Sequence, residues 1–371
     1  MKNGHDTRNE PAAKSSHAAL SSHHTSNDHE ACQGTPVTEW AKTCITDVPG
    51  IRLGHCTLSA RPTGCSVLLF EDSACASVDV RGAAPGTRET DLLDPVNFVQ
   101  EVHAIVLSGG SAYGLAAAQG VMQYLEENKA GFALGNGVIP IVPAAVLMDL
   151  EVGDFAVRPD AQAGYLACQA ATAAPSPQGN IGAGAGATVG KMFGMAHAMK
   201  AGLGTASHTV PGTNIVVGAV VAVNAVGDIQ APDSPTILAG ARTPDGRGFR
   251  STAQAIMQGY RVGNLQSSNT TIGAIATNVS LNKAQLRKIA AMAHDGFART
   301  INPIHTMWDG DTIFAVSTGR ESGHDADITA LGTIAAIVMA QAVVHATINA
   351  QGIAELNLPA HRDMLRPHAT T

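Results

Sequence analysis

Thr270 sits at an unusual seam. It lies in the stretch Ser267-Ser268-Asn269-Thr270-Thr271-Ile272-Gly273-Ala274-Ile275-Ala276-Thr277-Asn278, where a polar run enters what reads as a buried strand. A threonine hydroxyl inside a chain is a poor nucleophile until a neighbour takes its proton. At a chain terminus it carries its own base, an α-amino group with a pKa of about 7.7–8.0. A protein makes such a terminus when the hydroxyl attacks the preceding carbonyl and water cleaves the resulting ester. That chemistry requires a small hydroxyl residue at the start of a strand. It also requires a preceding residue that tolerates unusual backbone angles, as asparagine does. Asn269 and Thr270 meet both requirements. Asn-Thr pairs also arise by chance, so the pair alone leaves open a plain loop running into a strand.

Other stretches carry functional groups. Gly179-Asn180-Ile181-Gly182-Ala183-Gly184-Ala185-Gly186-Ala187-Thr188-Val189-Gly190-Lys191 is glycine-rich and ends in a lysine. It is not a phosphate loop, because Ala185 stands where the first glycine belongs and Met192 where Ser or Thr belongs. A loose dinucleotide pattern on Gly182, Gly184 and Ala187 lacks the apolar strand that should precede it. What remains is a backbone that approaches something closely and a lysine in uncharged surroundings. Such a lysine can lose basicity and act as a catalytic group, or can simply follow a surface loop. Ser108-Gly109-Gly110-Ser111-Ala112-Tyr113-Gly114 follows an apolar run and opens a helical one, the context of a nucleophile elbow. Tyr113 occupies the position where that motif needs glycine, so a tight turn lining a pocket is the better reading of Ser111.

His305-Thr306-Met307-Trp308-Asp309-Gly310-Asp311 gathers an imidazole and two carboxylates. A metal-dependent hydrolase could use all three, although the spacing is loose for a metal site. Two close carboxylates can instead orient and deprotonate a hydroxyl or amine, and an Asp-Gly turn before a strand is common. Asn269-Thr270-Thr271 and Asn278-Val279-Ser280 match glycosylation sequons, but no secretory signal accompanies them.

These groups need a scaffold. The chain has 371 residues, 45% hydrophobic and only 14% charged, enough for a sizeable core. The formal charge of −7 argues against nucleic acid or an anionic membrane as partner. Residues 1–36 are rich in Ser, His, Asn and Ala and lack apolar periodicity, so they read as a disordered leader; residues 37–371 read as a single domain. Cys32, Cys44, Cys56, Cys65, Cys75 and Cys168 have no regular spacing and read as reduced, mostly buried thiols. The start of the chain has no apolar signal segment, and the expected location is the cytoplasm. Ala330 to Ala346 approaches membrane-spanning length but reads as a core helix. Val67 to Phe70, Ala104 to Leu107, Ile215 to Val223, the stretch ending at Asn278 and Thr312 to Val316 read as strands. Ala112 to Glu127 and a segment through Leu286, Ile289, Ala290, Ala293 and Phe297 read as helices, and Asp327 or Thr329 could cap the last helix. The order predicts α/β layers.

Taken together, Val80 to Asp91, Ser108 to Leu115, Val142 to Val146, Gly179 to Lys191, Asn269 to Asn278 and Ile301 to Phe314 resemble one family. It is the autoprocessed peptidase family of the L-aminopeptidase D-esterase/amidases, β-peptidyl aminopeptidases and nylon-oligomer hydrolase, and the likeness covers about residues 45–350. The resemblance implies a four-layer αββα-like sandwich similar to N-terminal-nucleophile hydrolases. It implies cleavage between Asn269 and Thr270 into an α subunit 1–269 and a β subunit 270–371, with Thr270 as nucleophile. Asp309 and Asp311 match the pair that holds the nucleophile and its amine, Lys191 an active-site lysine, and Asn224 an oxyanion donor. With Asn-Thr at the junction and two aspartates, the site looks more like the nylon-oligomer hydrolase than the aminopeptidases. Met148 stands where relatives often place an oxyanion-side tyrosine; either another donor such as Tyr113 substitutes or the substrate differs, and Tyr113, Met148 and Ser111 are expected in the substrate pocket. The implied activity is hydrolysis of small peptides or of ω-amino-acid oligomers such as 6-aminohexanoate oligomers. The alternatives are an aminopeptidase of the D-esterase/amidase type and a processed but catalytically weak binding relative. No cofactor or metal is implied, and a homotetramer of processed protomers is expected.

Overall fold

The computed structural model describes residues 43–261, 269–322 and 327–365, together with residue 1. The expected leader and its histidines lie outside the described residues, as do Ser267 and Ser268. By its internal contacts the chain divides into Met1–Pro36 and Val37–Thr371. Every described strand and helix belongs to the second unit.

Nine strands form one branched sheet: β1 (Ile51–Thr57), β2 (Gly64–Val80), β3 (Gly86–Arg88), β4 (Glu101–Ser108), β5 (Ala144–Val146), β6 (Leu203–Thr209), β7 (Val216–Ala222), β8 (Ile272–Val279) and β9 (Thr312–Glu321). Their order is β6-β7-β8-β9-β2-β4-β5-β3, with β1 also on β2. β2 joins two halves. Its first part pairs with β1, its last part, Cys75 to Val80, pairs with β9, and its pairing with β4 shifts register between Leu69 and Ala74. Four principal helices cover the sheet: α1 (Ala117–Glu127), α2 (Ala161–Gln169), α3 (Lys283–Thr300) and α4 (Ile328–Ile348).

Side-chain alternation assigns the layers. Val217, Ala219, Val221, Ile275, Ile313 and Ala315 face α3 and α4. Their neighbours Val220, Ala222, Ile272, Ala274, Phe314 and Val316 point the other way, onto Leu68, Phe70, Ile105 and Leu107 of the second half. That half turns Val67, Leu69, Ala104 and Val106 towards α1 and α2. Successive strand residues point to opposite faces, so strands apolar at every position must be covered on both sides. The result is helices, sheet, sheet, helices, the expected αββα sandwich.

α3 buries Leu286, Ile289, Ala290, Ala293 and Phe297, the spacing read in the sequence. α4 is long and apolar enough to cross a membrane, with 61% of its most apolar window buried in the protein. Asp327 caps it, its Oδ1 accepting from Thr329 N at 2.8 Å and Ala330 N at 3.1 Å. One expected helix is shorter than Ala112 to Glu127. Ser111–Ala116 is a 3-10 turn and α1 follows it. Gly110 is left-handed there (φ 83°), and a Cβ on Gly114 would lie 1.8 Å from the Gly109 carbonyl oxygen, so the turn is too tight for an α-helical start.

Candidate active site

Thr270 is buried where the seam enters β8. Its N–H donates to the main-chain carbonyl of Asn224 at 2.7 Å, and its hydroxyl donates to the carbonyl oxygen of Asn269. β8 runs parallel to β9 with Ile272 opposite Thr312, which brings the Asp309-Gly310-Asp311 turn against the seam. The approach is close: a Cβ on Gly310 would lie 2.9 Å from Thr270 Oγ1. The turn is braced from behind by the chain after β2. Arg81 N and Gly82 N donate to Asp311 O at 3.0 and 3.2 Å, and Ala84 N to Asp309 O at 2.9 Å.

The two carboxylates are held differently. Asp311 accepts Thr271 N on Oδ1 at 2.7 Å, and on Oδ2 both His305 N at 3.0 Å and His305 Nδ1 at 2.9 Å. Asp309 accepts Thr306 N at 3.0 Å and the Thr306 hydroxyl on Oδ2, while its Oδ1 is buried without a protein partner. Burial, and then the charge of Asp311, push Asp309 up to about 6. Two neighbouring buried carboxyls cannot both be ionised cheaply.

Lys191 follows Gly190, which is left-handed (φ 71°) and so close to the next segment that a Cβ would lie 2.1 Å from Gly240 C. The buried Lys191 Nζ donates to Asn224 Oδ1 at 2.8 Å. Burial lowers its pKa to about 7, against the attraction of Asp309, Glu151 and Asp149. Desolvation thus outweighs the charge pairing and drives both Lys191 and Asp309 towards their neutral forms. Asn224 is a hub. Its Oδ1 also accepts Thr188 N at 3.0 Å, and its Nδ2 donates to Met148 O at 2.9 Å.

Thr270, Asn269, Ser111, Met148, Ala84, Pro85 and Trp308 line a cavity of about 150 Å³. Asn269 is buried there with neither end of its carboxamide partnered. A larger open groove of about 700 Å³, between Phe98, His103 and Phe132, contains none of these residues.

The structure therefore brings together Thr270, Asn269, Asp309, Asp311, Lys191 and Asn224, with Ser111 and Met148 beside them. Tyr113 departs from expectation. It is 56% exposed, its ring lies 3.9 Å beneath the Arg158 guanidinium, and it does not line the cavity. The reason is the 3-10 turn, which points Ser111 inward and Tyr113 out. Met148 takes part through its main-chain carbonyl, which no side-chain type announces. Thr188 and Thr306 were not singled out from the sequence. Thr188 lies in the glycine-rich run and Thr306 between His305 and Asp311, and hydroxyls beside a lysine or a carboxylate are the signal that could have found them. His305, Asp309 and Asp311 are neighbours, but among the described residues no three His, Cys, Asp or Glu side chains form a group that could hold a metal ion.

Next to Met148 in the chain lies a buried ion pair. Buried Asp149 accepts Arg61 Nη2 at 2.7 Å, Thr63 Oγ1 at 2.6 Å and Gly110 N at 2.8 Å. This ties the Met148 segment to the Ser108–Ser111 turn. Removing one partner of such a buried pair typically costs about 3–5 kcal/mol.

Known proteins resemble this chain in sequence and in fold. An uncharacterized aminopeptidase of Mycobacterium tuberculosis is 44% identical over 348 residues, 86% of this chain and 97% of that protein. A 6-aminohexanoate-oligomer endohydrolase of Paenarthrobacter ureafaciens is 34% identical over 316 residues, 81% of this chain and 84% of that protein. Among solved structures, the L-aminopeptidase D-Ala-esterase/amidase of Ochrobactrum anthropi, described as a variant of the Ntn hydrolase fold, superposes with a TM-score of 0.64 at 21% identity. The match covers 88% of this chain and 94% of that one. A β-aminopeptidase of Burkholderia sp. superposes with a TM-score of 0.63, also at 21% identity, over 88% and 95% of the two chains. Residues 43–358 match peptidase family S58. The chain belongs to that family and is a hydrolase of amide bonds.

Proposed function

We propose that this hydrolase activates itself by cutting between Asn269 and Thr270, and then uses Thr270 as an N-terminal nucleophile. One observation carries the reading: the Thr270 hydroxyl lies on the Asn269 carbonyl, in a buried seam at the start of a core strand. Oγ1 bonds to the Asn269 carbonyl carbon as its proton passes to the Asp309–Asp311 turn, where the unpartnered Asp309 Oδ1 is the acceptor. The carbon–nitrogen bond then breaks, and the nitrogen, held by the Asn224 carbonyl, takes that proton from Asp309 to become the free amine. Water hydrolyses the ester, leaving a carboxylate on Asn269 and restoring the hydroxyl of Thr270.

In turnover the new amine takes the hydroxyl proton and gives it to the leaving amine of the substrate. Asp309 and Asp311 orient the nucleophile and its amine. Lys191 and Asn224 supply the oxyanion side, where one well-placed donor contributes roughly 3–4 kcal/mol. The substrates are short peptides or ω-amide oligomers. The 34% identical endohydrolase supports the second class and the 44% identical aminopeptidase the first. Short substrates with free and with blocked amines separate them, since an exo-acting aminopeptidase needs the free amine.

Denaturing gels test the cut. The purified wild type should give bands of roughly 27 and 10 kDa, apportioning 37.9 kDa by the lengths of 1–269 and 270–371. Thr270→Ala should stay whole. A single band from the wild type, or cleavage that persists in Thr270→Ala, overturns the proposal.

A further inference from the structure

His305 contributes more to this site than its sequence position suggests. It is not glycine, yet its φ is +58°. Left-handed backbone at such a residue costs of order 1–3 kcal/mol and persists only where the surroundings demand it. Here the consequence is specific: the left-handed turn points the main-chain N–H and the ring Nδ1 at the same oxygen, Asp311 Oδ2, at 3.0 and 2.9 Å. Asp311 is fully buried, and its other oxygen holds Thr271 N at 2.7 Å, one residue after the nucleophile. The imidazole is itself fixed. Its ring meets that of His294 edge to face at 4.7 Å, and His294 Nε2 is anchored on the Asp79 carbonyl at 3.0 Å. Phe297 backs both rings, at 5.4 Å from His294 and 6.4 Å from His305. With Nδ1 engaged on the carboxylate, the buried Nε2 has no protein partner, so the ring makes its one polar contact with Asp311.

We propose that His305 is a positioning residue: its imidazole locks the rotamer of Asp311, and through Asp311 the register of the Thr270–Thr271 seam. The inference rests on the reading of Thr270 as nucleophile. Misplacing a reacting group by about 1 Å can cost a hundredfold in rate, which is why this chemistry needs a locked carboxylate.

The backbone angle supplies the test. Glycine and asparagine are the two residues most at home at φ +58°. Both keep the main-chain N–H on Asp311, and only asparagine keeps a side-chain donor. His305→Gly should slow self-cleavage and lower kcat by roughly ten- to a hundredfold, with KM within about twofold. His305→Asn should restore most of both rates, and neither change should lower the melting temperature appreciably. A second readout is independent of catalysis. In the uncut Thr270→Ala chain, hydrogen exchange at the Thr271 amide should accelerate about tenfold with His305→Gly and not with His305→Asn. Equal rates and equal exchange in the Gly and wild-type chains would overturn the role of His305. If the wild type stays whole on a gel, the autoprocessing reading falls, and exchange at Thr271 still decides this one.

Discussion

Thr271 shares the buried seam with Thr270, and its main chain is fully used, the N–H by Asp311 Oδ1 at 2.7 Å and the carbonyl by Thr312 N at 3.2 Å; its hydroxyl is buried with no partner. An unsatisfied buried hydroxyl costs roughly 1–3 kcal/mol, and replacing it with a methyl of the same shape recovers part of that cost. Thr271→Val should therefore keep self-cleavage and raise stability by up to about 1 kcal/mol. Thr270→Val, with the same change of shape, should stop cleavage. Gels and thermal melts on the two variants decide the matter. Loss of cleavage in Thr271→Val would mean that its hydroxyl takes part in the proton path. The sequence alone could name Thr270 as the residue that gains an amine, but it could not say which threonine hydroxyl lacks a partner.

At the scale of elements, the site is a product of strand order. β8 and β9 are neighbours and parallel, so their N-terminal ends lie side by side. The seam enters one and the Asp309–Asp311 turn enters the other, across an interval of some forty residues filled by α3. Gly310 lets the two meet, because a Cβ there would lie 2.6 Å from Ala84 O and 2.9 Å from Thr270 Oγ1. Gly310→Ala should push the turn off the seam. Self-cleavage is expected to fall by at least tenfold, while melting temperature shifts by only a few degrees, since the contact is local. A variant that unfolds, or one that cleaves at the wild-type rate, would contradict this.

Much of this frame was legible. Val216 to Ala222 and Ile272 to Val279 are apolar at almost every position, which announces central strands, and the period of Leu286 to Phe297 announces a helix. Two features were hidden. β2 read as a short strand at Val67 to Phe70, because its continuation through Glu71, Asp72 and Ser73 is polar and partly exposed. The contacts of Asn224 with Met148 O, and of Thr270 with Asn224 O, use main-chain carbonyls, which every residue has and no side chain advertises.

Across the whole molecule, the buried cations set the response to pH. Lys200 lies fully buried beneath the glycine-rich run, donating to Gly184 O at 2.9 Å, Ala187 O at 3.0 Å and the Ala201 carbonyl. Burial lowers both Lys200 and Lys191 to about 7 from the ordinary 10.5. Between those values the unfolded chain holds protons that the folded chain has released, so stability rises with pH. Each lysine can contribute up to about 1.4 kcal/mol per pH unit there. Burial raises Asp309 and Asp228 to about 6, which makes stability fall between about pH 4 and 6. Buried His55 and His294, lowered to about 4, act in the opposite direction below 6.5. Above pH 9 the raised thiols of Cys65 and Cys168 begin to oppose the lysines, because burial keeps them protonated in the fold after the unfolded chain has lost those protons. In the window from pH 7 to 8.5 the two lysines therefore dominate, and Lys283, whose pKa burial also lowers, acts in the same direction. Denaturant midpoints of the wild type should rise across that window. Lys200→Met leaves three carbonyls without their donor and should be less stable throughout, yet its slope with pH should be about half that of the wild type, since one of the two lysines remains. A Lys200→Met variant with an unchanged slope would show that Lys200 stays charged in the fold, and a wild type whose stability falls from pH 7 to 8.5 would show that both lysines do, in which case Lys191 would meet the seam as a permanent cation.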